Sequence, residues 1–407
     1  MRKLLLLLLL PALGCQKADT PIEISPEVLH NSMDKVTEIM IHDIFSPPVA
    51  SRIFAYPNIA AYEILAQGDN RFRSLTGQVH QLSAIPSPGM NQNVNRPLAA
   101  VIAHMDLCRR MIFSEDQMIA YRDSLYAVWS AQNAKEFETS RDYGLEVAEH
   151  IAAWMDKDNY KQTRTMPKFS VDTEDPSRWQ PTPPAYMAGI EPHWSEIRPF
   201  VIDSAEQFKP VPPPPFSMEE GSDFYREVKE VYDISKKMEA DGDESEEVEI
   251  ARFWDCNPYV SVTRGHLMFA TKKITPGAHW IGITKIACRK SKSDFGETVY
   301  AYTKTSMAIA DAFISCWDEK YRSNLIRPET LINEHLDDNW KPVLQTPPFP
   351  EYTSGHSVVS GAASVVLSDI FGEDFAFDDD TELPYGLPVR SFSSFRQAAD
   401  EAAISRM

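Results

Sequence analysis

Between residues 167 and 216 the chain carries twelve of its 30 prolines, and no continuous helix can run through that interval. Proline has no amide to donate and pushes the residue before it out of the helical region. The interval therefore divides the sequence into two long stretches that must each fold by their own periodicity. On both sides that periodicity is helical. Residues 26–44 place Val28, Met33, Val36, Ile39 and Met40 at helical spacing. A second run over 48–66 follows the pair Pro47-Pro48, which suits a helix start. Further runs cover 94–113, 115–131 and 135–157, then 219–239, 243–254, 277–289 and 295–318. The last of these sets Met307, Ala310, Phe313, Ile314 and Trp317 on one face. No strand-like alternation and no internal repeat stands out, so the fold class is all-α, a helical bundle interrupted by a loop excursion.

The excursion also holds Trp179, Tyr186, Trp194 and Phe200. Aromatic side chains in a proline-rich stretch predict a loop packed on the protein body. Such a loop serves either as a binding loop or lid, or as a structural wrap between two helical layers. The resulting organisation is an N-terminal helical layer at 26–165, a proline-rich aromatic segment at 166–218 and a C-terminal helical bundle at 219–407.

The first residues follow a different logic. Arg2 and Lys3 precede a short apolar core, Leu4 to Leu10, and Pro11, Ala12, Leu13 and Gly14 lead to Cys15. The run is too short to span a bilayer. It resembles a bacterial lipoprotein signal, which implies a leader at 1–14, acylation of Cys15, a tether at 15–25, and a lipid-anchored protein at the periplasmic or cell surface. The chain has 40 Lys and Arg against 59 Asp and Glu, a net charge of −19. An acidic surface repels nucleic acid, so no nucleic-acid partner is expected. Any site for an anion must be a local basic pocket. Cys108, Cys256, Cys288 and Cys316 are widely spaced without a CxxC pair, so no zinc site is expected. They are either paired in disulfides or buried as free thiols.

Three C-terminal segments combine the residue types an oxyanion needs. The first runs from Lys320 to Arg327-Pro328, with six residues between the lysine and the arginine. Arg327 offers a planar fork of donors for two oxygens of a tetrahedral anion, and Lys320 adds a compact charge. The second is Thr353-Ser354-Gly355-His356, opening a small-residue helix from Ser357 to about Asp369. Free amides at a helix start favour an anion, Gly355 lets it approach the backbone, and His356 can exchange a proton beside it. The third is Ser405-Arg406, a second guanidinium. His279 and His266 read first as structural histidines and second as pocket-lining residues. Asp311 reads first as a helix-surface residue and second as a group orienting one of the cations.

Together these segments resemble the signature of the superfamily of vanadium-dependent haloperoxidases and type-two phosphatidic acid phosphatases. That signature is Lys, six residues, Arg-Pro; then Pro-Ser-Gly-His; then Ser-Arg, five residues, His. Lys320, Arg327 and Pro328 match the first part, and Ser354, Gly355 and His356 match the second, with Thr353 in place of Pro. Ser405 and Arg406 begin the third. The segments around Trp179–Pro184, Pro192–Trp194 and Pro199-Phe200 also resemble loops of the bacterial haloperoxidase-like branch.

The resemblance implies a helical bundle in which Lys320, Arg327, Ser354, Gly355 and Arg406 bind vanadate or phosphate and His356 acts in acid–base chemistry. In a haloperoxidase, vanadate is the cofactor, and peroxide and halide are the substrates yielding hypohalous acid. In an acid phosphatase, the substrate is a phosphate ester and no cofactor is needed. The family's last histidine, which bonds vanadium or attacks phosphorus, would fall five residues beyond Met407. A final helix running through Ala398, Ala399, Ala402, Ala403 and Ile404 has no Gly, Asn or Pro to end it. The sequence is therefore expected to continue to that histidine, and the chain as it stands to have little activity. A non-catalytic, oxyanion-binding surface lipoprotein is the alternative from another class.

Overall fold

The computed structural model describes residues 20–90, 93–242, 245–257, 261–264, 267–270 and 273–406, with backbone only for 261–264 and 267–270. The leader at 1–14, Cys15, His266 and Met407 lie outside the described residues.

Five long helices form the N-terminal half: α1 (Pro26–Asp43), α2 (Pro47–Ala66), α3 (Arg96–Met111), α4 (Glu115–Gln132) and α5 (Ala134–Met155). A one-turn helix α6 (Tyr160–Thr163) follows. Polar caps set several starts: Ser46 Oγ accepts from the Val49 amide, Asn95 Oδ1 from Leu98 and Asn133 Oδ1 from Glu136. The C-terminal half holds α7 (Asp223–Asp241), α8 (Glu246–Phe253), α9 (Pro276–Ser291), α10 (Phe295–Ser323), α11 (Pro328–His335), α12 (Gly355–Phe371) and α13 (Phe395–Ile404).

α2 is buried along nearly its whole length, from Pro47 to Leu65, because it packs on α3 to one side and α10 to the other. α10 in turn packs on α9 and α12, and α12 on α13. One apolar core therefore runs from Ile22 to Ala402 through both halves. α10 is its axle. It opens on a capping box, with Asp294 accepting from the Glu297 amide and Glu297 from the Asp294 amide. At 1.5 Å per residue its 29 residues span about 43 Å. The helix runs past the predicted end at 318 to Ser323, which places Lys320 in its last turn.

The fold is all-α as expected, with one addition. Two short antiparallel hairpins interrupt the helices: β1 (Ser261–Arg264) with β2 (Leu267–Ala270), and β3 (Phe377–Asp379) with β4 (Arg390–Phe392). Strands of three or four residues are too short for a period-two pattern to show in sequence. α11 likewise went unpredicted, being two turns long.

The proline-rich interval contains one 3-10 turn, Trp194–Glu196, and otherwise no helix. It wraps the body. Trp179, Trp194 and Phe200 are buried, while Tyr186 is exposed. The Trp179 amide donates to the Asn324 carbonyl, and the Ile190 carbonyl accepts from Tyr321 Oη at 2.6 Å and from Trp317 Nε1 at 3.3 Å. Asp311 holds the end of this wrap and is not on the surface. Its carboxylate is 5% exposed and accepts from the amides of Phe200, Val201 and Ile202 at 2.7, 2.7 and 3.1 Å. Irregular backbone crossing a helix has no ladder of its own, and a buried carboxylate supplies the missing acceptors. All four described cysteines are buried free thiols. Among the described residues no helix is long and apolar enough to cross a membrane.

Candidate functional site

Lys320, Arg327, Ser354, Gly355, His356, Ser405 and Arg406 line one cavity of about 220 Å³. Four helix ends and one segment between them bring them together. Lys320 leaves the last turn of α10 on the same face as Trp317 and Phe313, three and seven residues earlier. The chain then turns at Asn324 in the left-handed region (φ 47°), and Arg327 becomes the N-cap residue of α11. Ser354 caps α12, its Oγ accepting from the Ser357 amide at 3.2 Å. The hydroxyl proton of Ser354 stays available to a ligand, as do the first amides of a 17-residue helix. Arg406 follows the end of α13, where Nη2 donates to the carbonyls of Ala251 and Trp254 and Nε to Ser405 Oγ.

The segment Pro347–Glu351 holds the cations in place. Lys320 Nζ donates to the carbonyls of Pro350 at 3.0 Å and Glu351 at 3.1 Å. Arg327 Nε donates to the Phe349 carbonyl at 2.7 Å, and Nη1 to the Glu351 carboxylate. Both charges lie over the Phe349 ring, 4.7 Å from its centroid for Lys320 Nζ and 4.9 Å for Arg327 Cζ. Each cation–π contact of this kind contributes about 0.5–2 kcal/mol. Phe349 and Glu351 were not legible as site residues, since neither belongs to a motif. The signal available was the dense Pro-Pro-Phe-Pro-Glu-Tyr run immediately before Thr353. Thr353 itself, standing where the signature has proline, joins Cys316 through its carbonyl and its hydroxyl, both at 3.6 Å.

Three residues lining this cavity each carry a buried polar atom without a hydrogen-bond partner: Arg327 Nη2, His356 Nε2 and Glu329 Oε2. A buried polar atom without a partner costs about 1–3 kcal/mol, more when charged, so the Arg327 guanidinium donor, with His356 Nε2 in the same cavity, marks a ligand position. Gly355 leaves room at the same point. A Cβ built there would meet only the Trp317 ring, at 3.8 Å, so the protein alone does not demand glycine. An anion resting on the helix start would. Burial pulls Lys320 down to about 8, with Arg327 adding to the effect. Burial also holds His356 well below the ordinary histidine range, and Arg406 acts in the same direction, so its imidazole is neutral at pH 7. The residues present thus fit a tetrahedral oxyanion: guanidinium, ammonium, hydroxyl and amide donors around a neutral histidine.

The remaining candidates do not enter this cavity. His279 is fully buried behind it, with Nε2 bonded to Asp379 Oδ2 at 2.8 Å. Asp311 holds the proline-rich wrap and touches none of the cations.

A family model described as the VCPO second helical-bundle domain matches residues 300–407, the stretch that carries all three motifs. A solved structure described as the first bacterial vanadium-dependent iodoperoxidase is 69% identical to the chain. The match covers 95% of this chain and 91% of that one, with a TM-score of 0.92. Two structures of bacterial vanadium-dependent chloroperoxidase, apo-type and holo-type, are each 16% identical. The apo-type match covers 89% of this chain and 88% of that one (TM-score 0.65), the holo-type match 92% and 86% (TM-score 0.58), and both speak to the fold alone. None of the curated proteins compared with the chain matches it.

Proposed function

The chain belongs to the vanadium-dependent haloperoxidases, and from that premise we propose that it oxidises iodide with hydrogen peroxide, using vanadate held in the cavity of Lys320, Arg327 and His356. The observation that carries the assignment of residues is the pair of buried, unpartnered atoms, Arg327 Nη2 and His356 Nε2, facing one cavity together with the start of α12. Lys320, Arg327 and Arg406 would hold the negative charge of the anion, with Ser354 and the Gly355 amide completing the cradle. When bound, vanadate supplies a Lewis acid that activates peroxide without itself changing oxidation state.

The protein's own residues do the rest. Burial leaves His356 neutral, so it can take a proton from incoming peroxide and return it as the oxidised halogen leaves. Phe313, Trp317, Trp340 and Phe349 line the approach and exclude water. An aromatic wall suits a large, weakly hydrated halide, which supports iodide above bromide and chloride. The lipoprotein leader with acylation at Cys15 is part of the same proposal, supported by the charged start, the short apolar run and Gly14-Cys15.

The test uses the full-length protein. Vanadate and peroxide are added with iodide, bromide or chloride, and triiodide or dye halogenation is followed. Vanadate-dependent turnover is expected with iodide in excess over the other halides. No vanadate-dependent turnover with any halide would refute the activity, and a preference for bromide would refute the halide. Detergent partitioning of wild type against Cys15→Ser tests the anchor.

A further inference from the structure

A second cluster of chemistry-bearing side chains borders the oxyanion cavity, sharing Cys256 with its lining, and the active-site argument does not use it. Cys256 follows α8, His279 sits in the first turn of α9, and Glu382 lies in the turn after β3. All three are buried, and one donor atom from each falls within 4.8 Å of the other two. We propose that Cys256, His279 and Glu382 bind a zinc ion, with a fourth position open to water.

The hydrogen bonding of His279 selects the donor nitrogen. Asp379 Oδ2 accepts from Nε2 at 2.8 Å, and Thr381 fixes the other carboxylate oxygen through its amide and hydroxyl at 3.0 and 2.7 Å. A carboxylate that accepts on Nε2 leaves the Nδ1 lone pair for a metal, the usual way an outer carboxylate orients a ligating histidine. The ring cannot swing away, because Trp254 stacks on it at 4.5 Å and Phe253 meets its edge at 5.4 Å.

Nδ1 then faces Glu382 Oε1 at 3.3 Å and Cys256 Sγ at 3.8 Å. Tetrahedral zinc, with bonds of about 2.0–2.1 Å to N and O and about 2.3 Å to S, sets those separations at about 3.3 and 3.6 Å. Glu382 Oε1 belongs to a side chain 7% exposed, and the polar atom beside it is His279 Nδ1 itself, at 3.3 Å and without hydrogen-bond geometry. A buried carboxylate oxygen whose neighbour is another donor of the same cluster calls for a cation between them. On binding, the Cys256 thiol proton, and any proton on His279 Nδ1, pass to water, and the ion takes their place.

Sequence reasoning excluded zinc because no cysteine pair was visible. The three donors come from segments up to 126 positions apart and only the fold unites them. An occupied site would tie the end of α8 to α9 and to the β3 turn. It would also steady Trp254, whose carbonyl accepts from Arg406 in the cavity next door.

The competing occupant is a proton. Although burial opposes it, Asp379 chiefly, with Cys256 and Glu382, holds His279 well above the ordinary histidine range when no ion is present. Three measurements on the intact protein, without vanadate, separate the two. Protein purified from zinc-supplemented medium is assayed for metal content, with one zinc per chain expected. Cobalt substitution is expected to give a thiolate-to-cobalt charge-transfer band, absent in Cys256→Ser. Asp379→Asn keeps all three donors and is expected to weaken zinc binding about 10- to 100-fold. Metal-free protein whose melting temperature does not respond to added zinc, or bound cobalt without the thiolate band, overturns the proposal. Zinc retained undiminished in Cys256→Ser does so too.

Discussion

Lys320 is the residue whose contribution can be worked furthest. It is 1% exposed, and burial brings its ammonium down to about 8 from an ordinary 10.5. That drop corresponds to about 3 kcal/mol spent on holding the charge in the cavity at neutral pH. The sign follows from proton counting. Between pH 8 and 10.5 the unfolded chain binds a proton at this residue and the folded chain does not, so this group makes stability rise with pH across that window. An anion in the cavity reverses the effect by raising Lys320 back towards the ordinary range. Binding and lysine protonation are thus coupled.

A charge-assisted hydrogen bond of about 1.5–3 kcal/mol gives wild type an affinity advantage of about 10- to 100-fold over Lys320→Met at pH 7. That advantage should hold below pH 8, then fall about tenfold per pH unit and vanish near pH 9–10, where the bound lysine itself titrates. Vanadate has its own protonation equilibria, but they are common to both proteins and cancel in the ratio. Titration calorimetry with vanadate from pH 6.5 to 10 measures it. Parallel pH profiles for wild type and Lys320→Met would show that the ammonium does not meet the anion.

Three further outcomes are expected. Gly355→Ala should fold normally, since its Cβ meets only Trp317 at 3.8 Å. It should bind vanadate about 10- to 100-fold more weakly, by calorimetry, because the methyl stands where the anion approaches the helix amides. His356→Gln should keep vanadate affinity within about tenfold while turnover falls about 10²- to 10⁴-fold, as expected for loss of acid–base catalysis; steady-state iodide oxidation reads the split. Asp311→Asn sets an amide group against three backbone donors and should cost about 2–4 kcal/mol in urea denaturation, with loosening of residues 200–202.

The helices were legible because each buries a stripe with a 3.6-residue period over many turns, as Met307 to Trp317 do on α10. The residues that meet in the cavity were legible as candidates because oxyanion chemistry fixes their type and their spacing within each motif. What escaped reading was whatever depends on partners distant in sequence. Asp311 looks like any helix aspartate until residues 200–202 are laid over it. Phe349 becomes a site residue only when two cations approach its ring from different helices. Cys256, His279 and Glu382 have no shared spacing at all. The β-hairpins failed for another reason, since three or four residues carry too few alternations to be seen.

A chain of net charge −19 that binds an anion poses an electrostatic problem, and the fold answers it through α10. Surface charge is screened over about 8 Å at physiological ionic strength, so the acidic exterior bears weakly on a buried cavity. Inside, the cations must be kept charged and apart from neutralising carboxylates. Carbonyls of Phe349, Pro350 and Glu351 do this for Lys320 and Arg327, and those of Ala251 and Trp254 do it for Arg406. Carbonyl dipoles orient a cation without cancelling its charge, so each keeps attraction to spare for a ligand. Among the described residues the carboxylate hydrogen-bonded to these cations is Glu351, which occupies Arg327 Nη1 and leaves Nη2 free. The same helix that carries Lys320 anchors the proline-rich wrap through Asp311 and Trp317. Loosening that wrap should therefore weaken anion binding even though none of its residues is needed to touch the anion.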